Sequence, residues 1–173
     1  MDSHTKQLLD ECDIIFKYAK TQKLLVFVIG WFAVDFAYGK ITRNHHDIDI
    51  MVEESDLFLW EQWFVLRGFT RKNFLRKSQK YCFILEKDGI SVDIGGVYYE
   101  QEKVLDHCDF SESPFLWPMI KDKLFWTRNF EWIQVNFALP ETIFVFKTSN
   151  PKGMLRENDI HDLQILREII HIS

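Results

Sequence analysis

The stretch that determines the fold is HHDIDIMV, residues 45–52, in which acidic and apolar residues alternate. Alternation with a period of two is typical of a β-strand, whose successive side chains leave opposite faces. Ile48 and Ile50 therefore predict a face packed into a core, while Asp47 and Asp49 share the other face, about 6–7 Å apart along the backbone. A polar strand face alone can present such a pair, but Asp is a poor strand former, so two on one face need a reason.

A third aspartate, Asp93, lies between Val92 and Ile94 in a second predicted strand. If the two strands are neighbours, three carboxylates converge on one patch of the sheet and repel one another. A hard divalent cation would remove that repulsion, and Mg²⁺ typically takes one or two carboxylates together with substrate phosphates. Two such ions could hold a triphosphate for in-line displacement.

The segments on either side of this strand predict a mixture of helices and strands. Apolar residues at helical spacing predict helices at 4–21, 31–38, 55–66 with Ser55 as N-cap, 140–147, and a last helix capped by Asn158 or Asp159. Short apolar or alternating runs predict strands at 24–29, 46–52, 69–76, 81–86, 90–97 and 132–137, whereas 98–123 is irregular. Strands cluster in the middle and helices flank them, so we expect an α+β fold with a mixed or antiparallel sheet.

Composition and charge restrict the class of function. The formal net charge of −5 argues against a nucleic-acid polymer as partner, because phosphate neutralisation dominates such binding. Cys12, Cys82 and Cys108 are scattered and odd in number, which argues against a disulfide framework or a zinc site. The polar residues 1–7 predict no signal peptide, and the longest apolar run, 24–30, is too short for a bilayer. We therefore expect a cytoplasmic protein without a membrane partner.

Two segments upstream of Asp49 resemble a known family. They read GWFAVD at 30–35 and TRNHHDID at 42–49, with Gly39 between them. This is similar to the core of the small antibiotic nucleotidyltransferases, the lincosamide and aminoglycoside 2″-adenylyltransferases of the polymerase-β-like superfamily. The family pattern is G-G-W-x-[VIL]-D, a glycine four residues on, then T-R-x-H-x-D-[IL]-D. The resemblance is specific over 27–52 and extends through Val97; further on, Lys147 and RENDIHDL at 156–163 resemble the family's closing R-x-K-D-x-x-D-L in outline.

The resemblance implies a polymerase-β-like fold: a mixed, mostly antiparallel sheet flanked by helices, with a small C-terminal extension. The expected organisation is one nucleotidyltransferase domain over 1–173, with a catalytic core at about 1–110 and an acceptor-side part at about 111–173. The implied reaction transfers a nucleoside monophosphate, AMP from ATP, to a hydroxyl of a small molecule such as an aminoglycoside or lincosamide antibiotic, with two Mg²⁺ ions. The implied role is antibiotic resistance, and the chain would act as a monomer or homodimer.

The resemblance also assigns roles to individual residues. Asp47 and Asp49 would bind both metal ions, and Asp93 would bind the catalytic metal and is the candidate base for the acceptor hydroxyl. The residues that would contact the nucleotide are Gly30, Trp31, Arg43 and His45. His45 is equally well explained as a structural histidine hydrogen-bonded in the turn.

Trp31 departs from the family pattern, which has a second glycine at this position. Glycine permits a close approach of the backbone to phosphate that a bulky residue resists. Either the loop is rearranged and still holds phosphate through Gly30 and the helix N-terminus, or the nucleotide site is weakened.

Two alternatives remain open. The acceptor could be a protein side chain or an RNA end, as in minimal nucleotidyltransferases, although the acidic charge speaks against RNA. The chain could also be a non-catalytic descendant that keeps the fold for ligand binding, but such a protein has no evident need for three carboxylates.

Overall fold

The computed structural model describes residues 1–72, 81–106, 115–120, 123–148 and 156–172. The helices are α1 Ser3–Gln22, α2 Gly30–Tyr38, α3 Leu57–Leu66, α4 Pro140–Thr148 and α5 Glu157–Ile172. The strands are β1 Val26–Val28, β2 Ile48–Glu53, β3 Thr70–Lys72, β4 Cys82–Lys87, β5 Ile90–Glu100, β6 Lys103–Asp106, β7 Phe115–Ile120, β8 Phe125–Phe130 and β9 Ile133–Ala138.

In the described residues all nine strands belong to one mixed sheet, which confirms the predicted α+β class. The main path runs β3-β4-β5-β2-β1-β9-β8, and β6 extends the sheet from β5 to β7. The pairs β2–β5 and β1–β9 are parallel, and the other strand pairs are antiparallel. Because β9 pairs with β1, the C-terminal third of the chain completes the same sheet as the N-terminal strands.

The core is formed by the apolar faces of the central strands and the helices packed on them. Ile48 and Ile50 of β2 are buried beside Val92 and Ile94 of β5, as the alternating pattern predicted. Helix α1 begins at an N-cap, Asp2, whose carboxylate accepts a hydrogen bond from the Thr5 backbone N–H at 2.7 Å. Cys12 and Cys82 are free, buried thiols, while Cys108 lies outside the described residues.

A hairpin turn at 87–89 joins β4 and β5. Asp88 and Gly89 both have positive φ, 49° and 81°, as a two-residue turn between twisted antiparallel strands requires.

The structure corrects the interpretation of the chain between 98 and 137. The stretch 98–123 was expected to be irregular, but β5 continues to Glu100 and is followed by β6 and β7. The single strand predicted at 132–137 is the second half of the hairpin β8–β9. Four successive residues of β8, 126–129, are exposed, so this edge strand lacks the alternation that marks a half-buried strand.

Three boundaries also differ. Ser55 does not cap α3, because it lies inside a short 3₁₀ turn, Glu54–Asp56. Helix α5 begins at Glu157, so Asn158 and Asp159 lie within its first turn and not at its cap. Of the strand predicted at 69–76, the structure shows Thr70–Lys72, and 73–76 lie outside the described residues. Among the described helices, none has the length and apolar character that a membrane span needs.

Candidate active site

The turn from β1 into α2 brings the backbone against the β2 carboxylates. The Ile29 N–H donates to the Asp49 carbonyl at 2.9 Å, which holds the end of β1 against β2. Gly30 follows with φ of 65°, a left-handed conformation that favours glycine. A Cβ at this position would collide with Oδ2 of Asp49 and lie 2.9 Å from its Cγ. Position 30 therefore admits only glycine while Asp49 keeps its place.

The sheet brings the predicted carboxylates together. Strands β2 and β5 are parallel neighbours, and Asp49 lies directly opposite Asp93 in the register. In-register neighbours share a face and have backbones about 5 Å apart. Asp47 precedes β2 by one residue, two positions from Asp49, and is exposed, whereas Asp49 and Asp93 are half-buried. The condition set by the sequence, that the two strands be adjacent, is met.

The pKa of Asp49 is shifted by this arrangement of carboxylates. Burial, followed by the charges of Asp47 and Asp93, raises its pKa well above the ordinary value of 3.8. Lys147 and Arg156 act in the opposite direction. A divalent cation would relieve the repulsion that raises this pKa, so the donor set suits Mg²⁺.

In the described ranges, no three Asp, Glu, His or Cys side chains form a preassembled metal cluster. Mg²⁺ rarely uses an all-protein cage; it keeps waters and takes one or two carboxylates together with substrate phosphate oxygens. The carboxylates of β2 and β5 fit that mode of binding.

Arg43 and Trp31 lie in contact at the entrance to the carboxylates. The Arg43 guanidinium stacks on the Trp31 indole, with Cζ 3.6 Å from the ring centroid. Its Nη1 donates to the Asn44 carbonyl at 3.0 Å, and its Nε lies 3.7 Å from Oδ1 of Asp162. Nη2 is buried and has no hydrogen-bond partner within the described part of the chain. Arg43 thus retains a donor that a bound anion could use.

The ring of His45 contacts two residues of α2. Its ring is 1% exposed, stacks on Phe32 at 3.8 Å between centroids, and pairs through Nε2 with Oδ2 of Asp35 at 2.6 Å. Asp35 also accepts hydrogen bonds from the N–H and hydroxyl of Thr42. This placement favours the structural role that the sequence left open: the buried pair fixes the loop from α2 to β2. His46, the neighbouring histidine, is exposed.

The charges of two further cations, Lys147 of α4 and Arg156 just before α5, act on Asp49; both lie in segments that resemble the family pattern only in outline. Lys147 of α4 is buried and contacts Asp159 at 3.2 Å and Asp162 at 2.9 Å, both on α5. Arg156, just before α5, contacts Asp159 at 2.9 Å and stays largely exposed. A lysine directly after the apolar run at 143–146, followed by aspartates at 159 and 162 on one helical face, is the sequence signal for this cluster.

A family comparison covers most of the chain. The sequence profile of a family described as aminoglycoside-2″-adenylyltransferase matches residues 13–166. No curated protein sequence matches the chain.

Solved structures resemble the whole fold at low sequence identity. The lincosamide antibiotic adenylyltransferase LnuA, solved with lincomycin bound, is 18% identical with a TM-score of 0.73, over 97% of this chain and 99% of that one. ANT(2″)-Ia, solved with adenylyl-2″-tobramycin, is 16% identical with a TM-score of 0.69, over 96% and 90%. An antigenic nucleotidyltransferase-like protein from Paracoccidioides brasiliensis is 12% identical with a TM-score of 0.61, over 98% and 78%. These likenesses show the nucleotidyltransferase fold.

Proposed function

Because the chain belongs to the aminoglycoside-2″-adenylyltransferase family and is a nucleotidyltransferase, we propose that it transfers AMP from ATP to a hydroxyl of a small acceptor. The observation that carries this proposal is the register of β2 and β5, which sets Asp49 opposite Asp93, while the charge of the preceding Asp47 acts on Asp49. Glycine at position 30 brings the N-terminus of α2 against Asp49. Helix N-termini favour phosphate.

The aspartates of β2 and β5 supply the ligands and the base. Asp47 and Asp49 would hold two Mg²⁺ ions, and Asp93 would share one of them. When bound, these ions polarise the α-phosphate and offset charge on the leaving pyrophosphate. The acceptor oxygen forms a bond to the α-phosphorus as the bond to pyrophosphate breaks, and Asp93 accepts the hydroxyl proton.

The cations beside the carboxylates would bind the triphosphate. Arg43 offers its unpartnered Nη2, and the charges of Lys147 and Arg156 already act on Asp49. His45 would act indirectly, by fixing the loop through its bond to Asp35. The acceptor class follows from the family alone: we propose an aminoglycoside or lincosamide antibiotic, and hence a role in antibiotic resistance. Location in the cytoplasm, where ATP is available, belongs to the same proposal.

The test is a transfer assay with α-labelled ATP and Mg²⁺ against tobramycin, lincomycin and related antibiotics. We expect the label to appear on one acceptor class with the wild type, and to disappear with Asp49→Asn or with EDTA. Label on the protein itself would support the protein-modifying alternative. A folded wild type that neither binds an ATP analogue nor transfers label would contradict the proposed function.

A further inference from the structure

Trp31 lies at a junction of three positively charged side chains. Its half-buried indole has Arg43 Cζ at 3.6 Å, Lys147 Nζ at 4.1 Å and Arg156 Cζ at 4.9 Å from the ring centroid. The three cations come from different segments: the loop before β2, helix α4 and the residue before α5. A tryptophan face attracts cations through its quadrupole within about 6 Å. All three segments therefore contact Trp31.

The same three cations face the carboxylate site. The charges of Lys147 and Arg156 act on Asp49, and the charge of Asp47 acts on Arg43. In the described part of the chain their ion-pair partners are Asp159 and Asp162, and the charges of Asp35 and Asp47 also act on Arg43. Arg43 Nη2 is a buried donor without a partner in the described residues. An anion bound next to the carboxylates would give this donor a partner.

We propose that Trp31 is a positioning residue that holds Arg43, Lys147 and Arg156 for binding of the triphosphate. The proposal rests on the proposed function, and it gives a role to the residue that replaces the family's second glycine. In that pattern the backbone approaches the phosphates; here side-chain cations gathered on an aromatic ring take over the contact. The ring contact holds the Arg43 guanidinium in place, and its Nη2 keeps a donor without a partner in the described residues.

The ring contacts set the expected size of the effect. The quadrupole of an aromatic ring attracts each cation over its face, and Trp31 contacts three cations at once. We expect Trp31→Leu to weaken triphosphate binding by about tenfold, which corresponds to about 1.4 kcal/mol. Trp31→Phe keeps an aromatic face and should restore most of the affinity.

The experiment is calorimetric titration with Mg²⁺ and two probes, a non-hydrolysable ATP analogue and inorganic tripolyphosphate. The proteins are the wild type, Trp31→Leu, Trp31→Phe and Trp132→Leu, each checked for folding by circular dichroism. Trp132 is the matched control, because it is a half-exposed tryptophan over whose ring the described residues place one cation, Lys6 at 5.0 Å. We expect Trp132→Leu to bind both probes as the wild type does.

A double-mutant cycle tests whether Trp31 acts through the cations. Arg156 is 70% exposed, so Arg156→Ala should fold normally. If the ring positions this cation, the loss of tripolyphosphate affinity in the double variant will be smaller than the sum of the two single losses. Additive losses would overturn the positioning role.

The two probes separate this inference from the proposed function. Unchanged affinities in Trp31→Leu, with clear binding of the analogue by the wild type, overturn the role of Trp31 and leave the function intact. Binding of tripolyphosphate that depends on Trp31, without binding of the analogue, supports the cation cluster and contradicts the use of ATP. A wild type that binds neither probe overturns both.

Discussion

At the scale of single residues, the site depends on a glycine in contact with an aspartate. Gly30 has φ of 65°, and a Cβ there would collide with the Asp49 carboxylate. We expect Gly30→Ala to abolish transfer, because Asp49 must move away from Asp93. The left-handed conformation should lower the free energy of unfolding by about 1–2 kcal/mol as well. Turnover and urea unfolding of the purified variant measure the two effects.

Gly89→Ala is the matched control for that prediction. Gly89 also has a positive φ, 81°, but a Cβ there would meet nothing within 4 Å. This variant should lose a similar amount of stability from backbone strain and keep its transfer activity. If both variants keep activity, the contact between position 30 and Asp49 does not matter for the reaction.

The raised pKa of Asp49 predicts how stability changes with pH in the absence of metal. Burial and the charges of Asp47 and Asp93 make the folded state bind the proton more tightly than the unfolded chain does. The free energy of unfolding should therefore fall as pH rises from the ordinary pKa of 3.8 through the raised value. Asp49→Asn cannot ionise and should show a shallower fall.

Urea unfolding in EDTA over a pH series measures this difference. Asp13→Asn serves as the control, because Asp13 pairs on the surface with Lys17 and lies far along the chain from β2. Equal pH slopes for the wild type and Asp49→Asn would contradict the prediction. Added Mg²⁺ should raise the stability of the wild type above the pKa, since a bound cation offsets the repulsion.

At the scale of elements, the sequence predicts those with one buried face. Helix α1 and strands β2, β4 and β5 could be found because burial on one side imposes a period on the apolar residues. Strand β8 could not, because an edge strand exposes consecutive residues and has no such period. Strands β6 and β7 depend on pairing with the end of β5, a tertiary contact that local pattern does not encode.

The residues of the candidate site also divide into those that the sequence predicts and those that it does not. The carboxylates were predictable because Asp residues within a strand stand out against its apolar face. The positions of Trp31 and Lys147 were not, since both depend on α4 and α5 packing back onto α2. The contacts of His45 with Asp35, Phe32 and Thr5 were not predictable either, because no local pattern distinguishes a buried histidine from an exposed one.

Helix α1 offers a prediction about how elements are joined. Glu11, on its buried face, forms a bidentate ion pair with Arg67 at the end of α3. Glu11→Ala leaves the partly buried Arg67 charge without its partner Glu11. This variant should therefore have a free energy of unfolding lower by about 2–3 kcal/mol. Asp10→Ala on the same helix breaks only the exposed pair with Lys6 and should cost about 0.5 kcal/mol or less. Equal losses in urea unfolding would contradict the joining role of Glu11.

At the scale of the whole molecule, charged contacts connect the two ends of the chain around the carboxylates. The parallel pair β1–β9 brings the C-terminal third beside the N-terminal strands. Lys147 on α4 then pairs with Asp159 and Asp162 on α5, and Asp162 lies beside Arg43 before β2. Burial opposes ionisation of Asp159, but the contacts from Arg156 and Lys147 hold its pKa below the ordinary value. The C-terminal helices thus meet the catalytic sheet through ionised groups.

Removal of the Lys147 charge should therefore lower the free energy of unfolding by more than the loss of one ion pair would. Lys147→Met leaves Asp159 and Asp162 buried with less compensation, so we expect a loss of about 3 kcal/mol in unfolding free energy. Adding Asp162→Asn should recover part of that loss by removing one of the stranded charges, whereas Lys17→Met, which breaks a surface pair, should have little effect. Urea unfolding at neutral pH measures all three. Two outcomes would contradict this: a Lys147→Met variant as stable as the wild type, or a double variant with Asp162→Asn that is less stable than Lys147→Met alone. Either would mean that apolar packing, and not this charge cluster, holds the helices to the sheet.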